Sequence, residues 1–240
     1  MKIKEKDFVE IDFTAKTEDG KVFDTTNKEE AKKANLPETE YKSVKICIGE
    51  GFLLKGLDKE LIDKEIGKEY EIKLEPEEAF GKRISELVKI IPLKVFHEKE
   101  INPYPGLPIA IDNSVATIRA VSGGRVITDF NHPLAGKRII YKIIVKKKIE
   151  KDSEKVDILL SNYLRLDKDK YEIEDKQVFL KIKLPDLLIK EIEKKIKELV
   201  GDYSLEFREK KEGKEKIEGE KKEDKKKEED KKKAEEKVKK

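Results

Sequence analysis

GEGFLLKGLDKELIDKEIGKEYEIKLEP, residues 49–76, changes its period halfway along. Gly49 and Gly51 bracket a turn. From Phe52 to Gly67, residues Leu54, Leu57, Leu61 and Ile62 fall near helical spacing, which predicts an amphipathic helix with a glycine stop. From Lys68 the pattern alternates instead, with Tyr70, Ile72 and Leu74 on one face of a strand. One such helix set among strands points to an α+β fold.

Upstream, DFVEIDFTAKTEDGKVFDTT (7–26) alternates apolar and polar residues on both sides of the turn signal Glu18-Asp19-Gly20, and predicts a hairpin. KEEAKKANLPET (28–39) holds helix formers stopped by Asn35 and Pro37, a short surface helix before the strand YKSVKICIG. Downstream, residues 86–133 form a cycle of their own. ELVKIIP is a strand, PLKVFHEK a short helix and NPYPGLP a turn; IAIDNSVATIRAV and RVITDF are strands joined at Ser122-Gly123-Gly124. RIIYKIIVKKKIE (138–150) is a further strand whose apolar face lacks a partner unless it returns to the first sheet. The expected organisation is therefore one domain over 1–85 and 134–150, interrupted by a mainly-β module over 86–133. Residues 151–208 follow as a small α+β unit with two helices, EKVDILLSNYL and one after Pro185 striped by Leu188, Ile192, Ile196 and Leu199. A unit so small completes its core readily against a second copy, so a homodimer through it is an expectation.

Charged residues make up 45% of the chain, but 56 basic and 53 acidic side chains leave a net charge of +3, too little to attract nucleic acid or a membrane surface. One Met, one Cys and no Trp beside abundant Lys, Glu and Ile give a thermophile-like balance. The segment 209–240 interleaves Lys with Glu and Asp and reads as a solvated tail, not a nucleic-acid arm. No apolar run has the length of a signal peptide or a membrane span, so a cytoplasmic location is expected. Cys47 alone excludes an internal disulfide and, flanked by Ile46 and Ile48, reads as an inert strand thiol. His97 and His132, the only histidines, stand 35 positions apart with no paired acidic-helix context, so no metal and no cofactor is expected. Gly56 is misplaced for a phosphate-binding glycine loop, and no nucleophile motif is present. Phe23-Asp24 stands apart from these readings: an acid beside a phenylalanine at a strand end has no packing reason.

Asp19-Gly20-Lys21-Val22-Phe23-Asp24-Thr25-Thr26, then Gly49-Glu50-Gly51-Phe52-Leu53-Leu54-Lys55-Gly56-Leu57-Asp58, then Ala79-Phe80-Gly81 have the order and spacing of motifs in FKBP-type peptidyl-prolyl isomerases. Asn131-His132-Pro133-Leu134-Ala135-Gly136 resembles the point where the SlyD-like branch returns from its insert-in-flap domain, and the added C-terminal unit resembles the long archaeal type. The resemblance covers residues 1–150. It implies an FKBP-like antiparallel sheet wrapped around a short helix. It also implies an apolar proline pocket lined by Phe13, Phe23, Val44, Leu53, Leu54, Leu57, Phe80 and Tyr141, with Asp24 on its rim. The backbone N–H of Leu54 would receive a substrate carbonyl. Taken singly, Leu53, Leu54, Leu57 and Phe13 also suit an ordinary core.

The chain departs from the family where tyrosine is usual at positions 13 and 80 and tryptophan is frequent at position 57. The resemblance further implies that the inserted module offers apolar surface to unfolded or proline-containing polypeptides, with Ile90, Ile91, Val95, Phe96, Ile109 and Ile111 as candidates, although a module this small needs some of them for its own core. Two functions stay open at this point: a prolyl isomerase with chaperone activity, and a non-catalytic holdase on the same scaffold.

Overall fold

β1 (Phe8–Thr17) is the strand from which the first unit is built. Val9, Ile11, Phe13 and Ala15 share its inward face, as a two-residue period requires. Gly20, left-handed at φ +86°, turns the chain back into β2 (Val22–Thr25). Asn27 then caps α1 (Lys28–Lys33), its side-chain oxygen accepting from the Glu29 and Glu30 N–H groups at 2.8 and 3.2 Å. β3 (Val44–Cys47), α2 (Lys55–Leu61) and β4 (Glu69–Leu74) follow. The chain next runs through β5 (Val88–Pro92), α3 (Leu93–Glu98), β6 (Pro108–Ile111), β7 (Ser114–Ser122) and β8 (Arg125–Asp129), and returns as β9 (Ile139–Lys148) and α4 (Asp152–Leu164). The structure, a computed structural model, describes residues 1–111 and 114–208; the charged segment expected over 209–240 lies outside the described residues.

β9 lies between β1 and β4, paired with β1 from Val9↔Lys148 to Thr17↔Ile139. β2 and β3 share the other edge of β1, completing an antiparallel sheet of five strands. α2 crosses the inward face, and Leu57 and Leu61 join Ile11, Ile46, Leu74 and Ile143 in the core. Here the structure corrects the sequence reading: the helix spans seven residues and ends well before Gly67. Residues 63–66 instead pair with the start of the chain. Asp63 N–H donates to the Ile3 carbonyl at 2.9 Å, Ile3 N–H to Lys64 at 2.9 Å, and Ile66 N–H to Met1 at 3.0 Å. Backbone pairing with this terminal segment replaces a further helical turn and leaves Ile62 exposed. Gly56 brings α2 close to the end of β4: a Cβ there would lie 2.7 Å from Glu78 Cβ and 2.8 Å from Leu74 Cδ2.

The inserted strands form their own antiparallel sheet in the order β5-β8-β7-β6 around Phe96, Ile109, Ala116, Ile118 and Val126. IAIDNSVATIRAV divides into β6 and β7, which pair antiparallel through Ala110↔Val115. The two crossings between the sheets are held by Asp129, 1% exposed. Its carboxylate accepts from Arg83 Nη2 at 2.7 Å, Arg119 Nε at 2.9 Å, and Asn131 N and Nδ2 at 3.0 and 2.8 Å. The Asn131 amide also exchanges two hydrogen bonds with the Ile84 backbone, at 2.8 and 2.9 Å. Burial by itself would raise the Asp129 pKa; the bonds from Asn131 and Arg119 and the charge of Arg83 more than offset it and bring it to about 2.

The chain divides into two compact units at Leu164/Arg165. EKVDILLSNYL was expected to open the C-terminal unit, but as α4 it belongs to the first: Glu154 pairs with Lys45 of β3 at 2.6 Å, and Val156, Leu159 and Leu160 are fully buried. The second unit contains β10 (Tyr171–Glu174), β11 (Gln177–Leu180), α5 (Asp186–Leu199) and β12 (Ser204–Phe207). β10 and β11 form a hairpin, and α5 carries the chain over to β12, parallel to β11. YEIE was not recognised as a strand in the sequence because four residues show too little alternation. Among the described residues no helix is long and apolar enough to cross a membrane.

Two predictions follow from this geometry. Gly56→Ala should destabilise the protein by about 1–3 kcal/mol in urea titrations despite alanine's better helix propensity, because both close atoms belong to packed structure. Asp129→Asn should be less stable by roughly 2 kcal/mol at neutral pH. A carboxyl held low in the fold contributes above its unfolded pKa, so the gap should close as pH falls from about 4 towards about 2.

Candidate active site

The register of the first sheet assembles the site. Ala15 of β1 faces Asp24 of β2 on one side and Tyr141 of β9 on the other, and Tyr141 in turn faces Ile72 of β4. Directly opposed residues of antiparallel strands share a face, so acid, alanine and phenol form one row. Ala15, fully buried, separates the two, and the Asp24 charge acts on Tyr141. Two residues along β1, Phe13 tilts its ring against Tyr141 at 5.6 Å between centroids. Its backbone is pinned by Thr26, which accepts from Phe13 N–H through Oγ1 and donates its own N–H to the Phe13 carbonyl, both at 2.9 Å. Val44, at the start of β3 and paired with Ile11, packs half-buried on the same core.

The opposite wall comes from the turn before α2 and the loop after β4. Leu57 is fully buried, while Leu53 and Leu54 are half-buried and pack on the same core. Leu54 is extended (φ −60°, ψ 141°) at the start of α2. Its carbonyl accepts from Asp58 N–H at 3.0 Å, and its N–H meets no acceptor among the described residues. Gly49 and Gly51 are both left-handed, and the buried Asp58 carboxylate accepts from Gly49 N–H at 3.3 Å, which ties this turn to the helix. Phe80 stands edge-on to Phe23 at 5.9 Å and is stacked on His132 at 4.6 Å with the rings 2° from parallel. Phe80 is thus clamped between β2 and the segment returning from the insert. Sequence reasoning missed Ala15 and His132 as parts of the site. The alternation of β1 could have pointed to Ala15, whereas the stack on Phe80 exists only in three dimensions.

The candidate site is a cluster of aromatic and leucine side chains packed on one core, with one carboxylate beside it. Asp24 is exposed at its surface, but the protein surrounding it removes enough water to raise its carboxyl above the ordinary value, partly offset by a hydrogen bond from Thr25 N–H. Tyr141 is pushed up to about 12, by burial first and by the Asp24 charge second. The Tyr141 hydroxyl therefore stays protonated at neutrality. Among the described residues no group of three or more His, Cys, Asp or Glu is placed to hold a metal.

The six candidates in the insert divide. Ile90 is 63% exposed and Val95 39%, whereas Phe96 and Ile109 are buried in the module's core and Ile91 and Ile111 pack against it. Phe96 and Ile109 are therefore corrected from client surface to core: alternation along β6 points Ile109 inward, and both pack with Ala116, Ile118 and Val126. The exposed apolar set instead includes Ile127, which faces Ile90 across β5 and β8, and Val115, 73% exposed.

A model of the FKBP-type peptidyl-prolyl cis-trans isomerase family matches residues 1–97, and a model described as the IF domain of FKBP26 matches 89–134. A short-type peptidyl-prolyl cis-trans isomerase of Methanocaldococcus jannaschii is 34% identical over 154 residues, covering 63% of this chain and 98% of that protein. The FKBP-type isomerase SlyD of Haemophilus influenzae is 29% identical over 152 residues, covering 60% of this chain and 72% of its own. The FKBP-type 16 kDa isomerase of Escherichia coli is 29% identical over 140 residues, 56% of this chain and 86% of its own.

A carboxyl raised by the fold disfavours folding once it ionises, so Asp24→Asn should be more stable than the wild type near pH 7. The difference should vanish as pH falls below the unfolded carboxyl value of about 4. Thermal melts across this range check it; a variant less stable at pH 7 contradicts it.

Proposed function

The chain belongs to the FKBP-type peptidyl-prolyl cis-trans isomerase family, in its SlyD-like branch, and on that premise we propose how it turns X-Pro bonds and what its insert does. The observation that supports the reading is the convergence of Phe13, Phe23, Phe80, Tyr141 and Leu53, Leu54 and Leu57 on one core, with the Asp24 charge acting on Tyr141; these residues are proposed to line the proline pocket. Rotation about X-Pro must break amide resonance against a barrier of roughly 18–20 kcal/mol, and no proton has to move. A planar amide is more dipolar than a twisted one, so moving it from water into an apolar hollow disfavours the ground state. A pocket that grips the proline ring while the Leu54 N–H holds the rotated carbonyl favours the transition state. Asp24 orients the peptide backbone from the rim, and the clamp on Phe80 keeps the wall in place. Each 1.36 kcal/mol of such difference is worth about tenfold in rate, so acid–base chemistry is not required.

The insert is proposed to hold unfolded polypeptide on the face that carries Ile90 and Ile127, raising the concentration of proline segments near the pocket. A second reading, a holdase without isomerase activity, is motivated by phenylalanine at positions 13 and 80, which supplies no hydroxyl to the substrate. A homodimer through the C-terminal unit is proposed on the exposed Leu187 and Phe207; a monomer by light scattering at high concentration would dismiss it.

Proline-limited refolding separates the two readings. The wild type should accelerate the slow phase, Phe80→Ala should lose roughly 5–30-fold in kcat/KM, and Ile90→Ser with Ile127→Ser should spare short peptides while losing protein substrates. An unchanged slow phase together with suppressed client aggregation would leave the holdase reading standing.

A further inference from the structure

Helix α4 lies beyond both matched family segments, yet its last turn reaches the loop that leads into α2. Tyr163 sets its ring edge-on to Phe52, with centroids 4.9 Å apart and planes at 66°. Its hydroxyl donates to the Glu50 carboxylate. One residue earlier, Asn162 Nδ2 donates to the Lys45 carbonyl of β3 at 3.2 Å. At the other end of the helix Glu154 pairs with Lys45 Nζ at 2.6 Å. With Val156, Leu159 and Leu160 fully buried between these contacts, α4 is a fixed support and not a trailing segment.

The loop it supports has good reason to move. Gly49 and Gly51 are both left-handed, and glycine carries the greatest backbone freedom of any residue. From the inner side, Asp58 holds the loop by the Gly49 N–H; from the outer side, Tyr163 holds it by a ring and a carboxylate. Leu53 and the Leu54 N–H follow directly on Phe52, between it and the first turn of α2. We propose that Tyr163 is a positioning residue for the proline pocket, clamping Phe52 and Glu50 so that Leu53 and Leu54 stay turned towards the bound peptide. The inference rests on the pocket reading above, because it takes Leu53 and Leu54 as substrate-facing. It extends the working isomerase domain through residue 164, into a helix outside both family matches.

The test uses the full chain with Tyr163→Ala and Tyr163→Phe, and reads both steady-state isomerisation of an Xaa-Pro peptide and hydrogen exchange over residues 49–54. Tyr163→Ala should raise KM by roughly tenfold, with kcat changed much less, and should speed exchange at 52–54 while β1 and β9 keep their protection. Tyr163→Phe, which keeps the ring, should fall between, at roughly two- to fivefold in KM. Combining it with Glu50→Ala should cost less than the sum of the two single changes, since both remove the same hydrogen bond. A lowered melting temperature with unchanged KM and unchanged exchange over 49–54 would overturn the proposal and leave Tyr163 as packing alone. A wild type without isomerase activity would overturn the pocket reading, while the exchange readout would still decide whether Tyr163 holds the loop.

Discussion

The pairing of β9 with β1 is the constraint on which the first unit depends. β9 follows the insert in sequence yet sits inside the sheet, bonded to β1 along nine opposed pairs and to β4 on its other edge. The insert must therefore leave and re-enter at one end of the sheet, and the chain must be closed there. The Asp129 carboxylate, with Arg83, Arg119 and Asn131 around it, is that closure. The same register sets Ala15 between Asp24 and Tyr141. A slip of one residue would turn every inward side chain of β9 outward and dismantle the proposed pocket.

Placing the hinge beside the pocket has a further consequence. Phe80 stands just before the outgoing crossing and His132 just after the returning one, and the two rings stack. The wall of the proposed pocket is thus made partly by the segment that carries the insert. The loop bearing Leu53 and Leu54 is held separately, by Asp58 within and by α4 without. The two sets of contacts differ in origin, one at the crossing into the insert and one from α4 near the end of the first unit.

Much of this was legible in the sequence. The hairpin over 7–26, the switch of period at residue 68 and the self-contained cycle after residue 86 follow from alternation and turn residues, which are local signals. The aromatic and leucine positions proposed for the pocket rest jointly on motif order, because each alone suits an ordinary core, and the structure packs them on a single core. What escaped was set by distant partners. The helix after Gly51 ends early because residues 63–66 bond to the chain start. EKVDILLSNYL was given to the wrong unit because its apolar face does not reveal which surface covers it. Phe96 and Ile109 looked available to clients because the composition of a small module does not tell core from surface until strand register is known. Ala15 carried a weak signal, a small residue where the alternation called for an apolar one, and only the pairing of three strands gives it meaning.

The most direct test of the account is magnetisation exchange between the cis and trans resonances of a short Xaa-Pro peptide at equilibrium, with the full-length protein added in catalytic amounts. Uncatalysed interconversion takes tens of seconds or longer. The account predicts exchange cross-peaks on the sub-second timescale with the wild type and their loss with Phe80→Ala. Persistently separate cis and trans signals beside a folded wild-type protein would contradict it, whatever affinity the insert shows for unfolded chains.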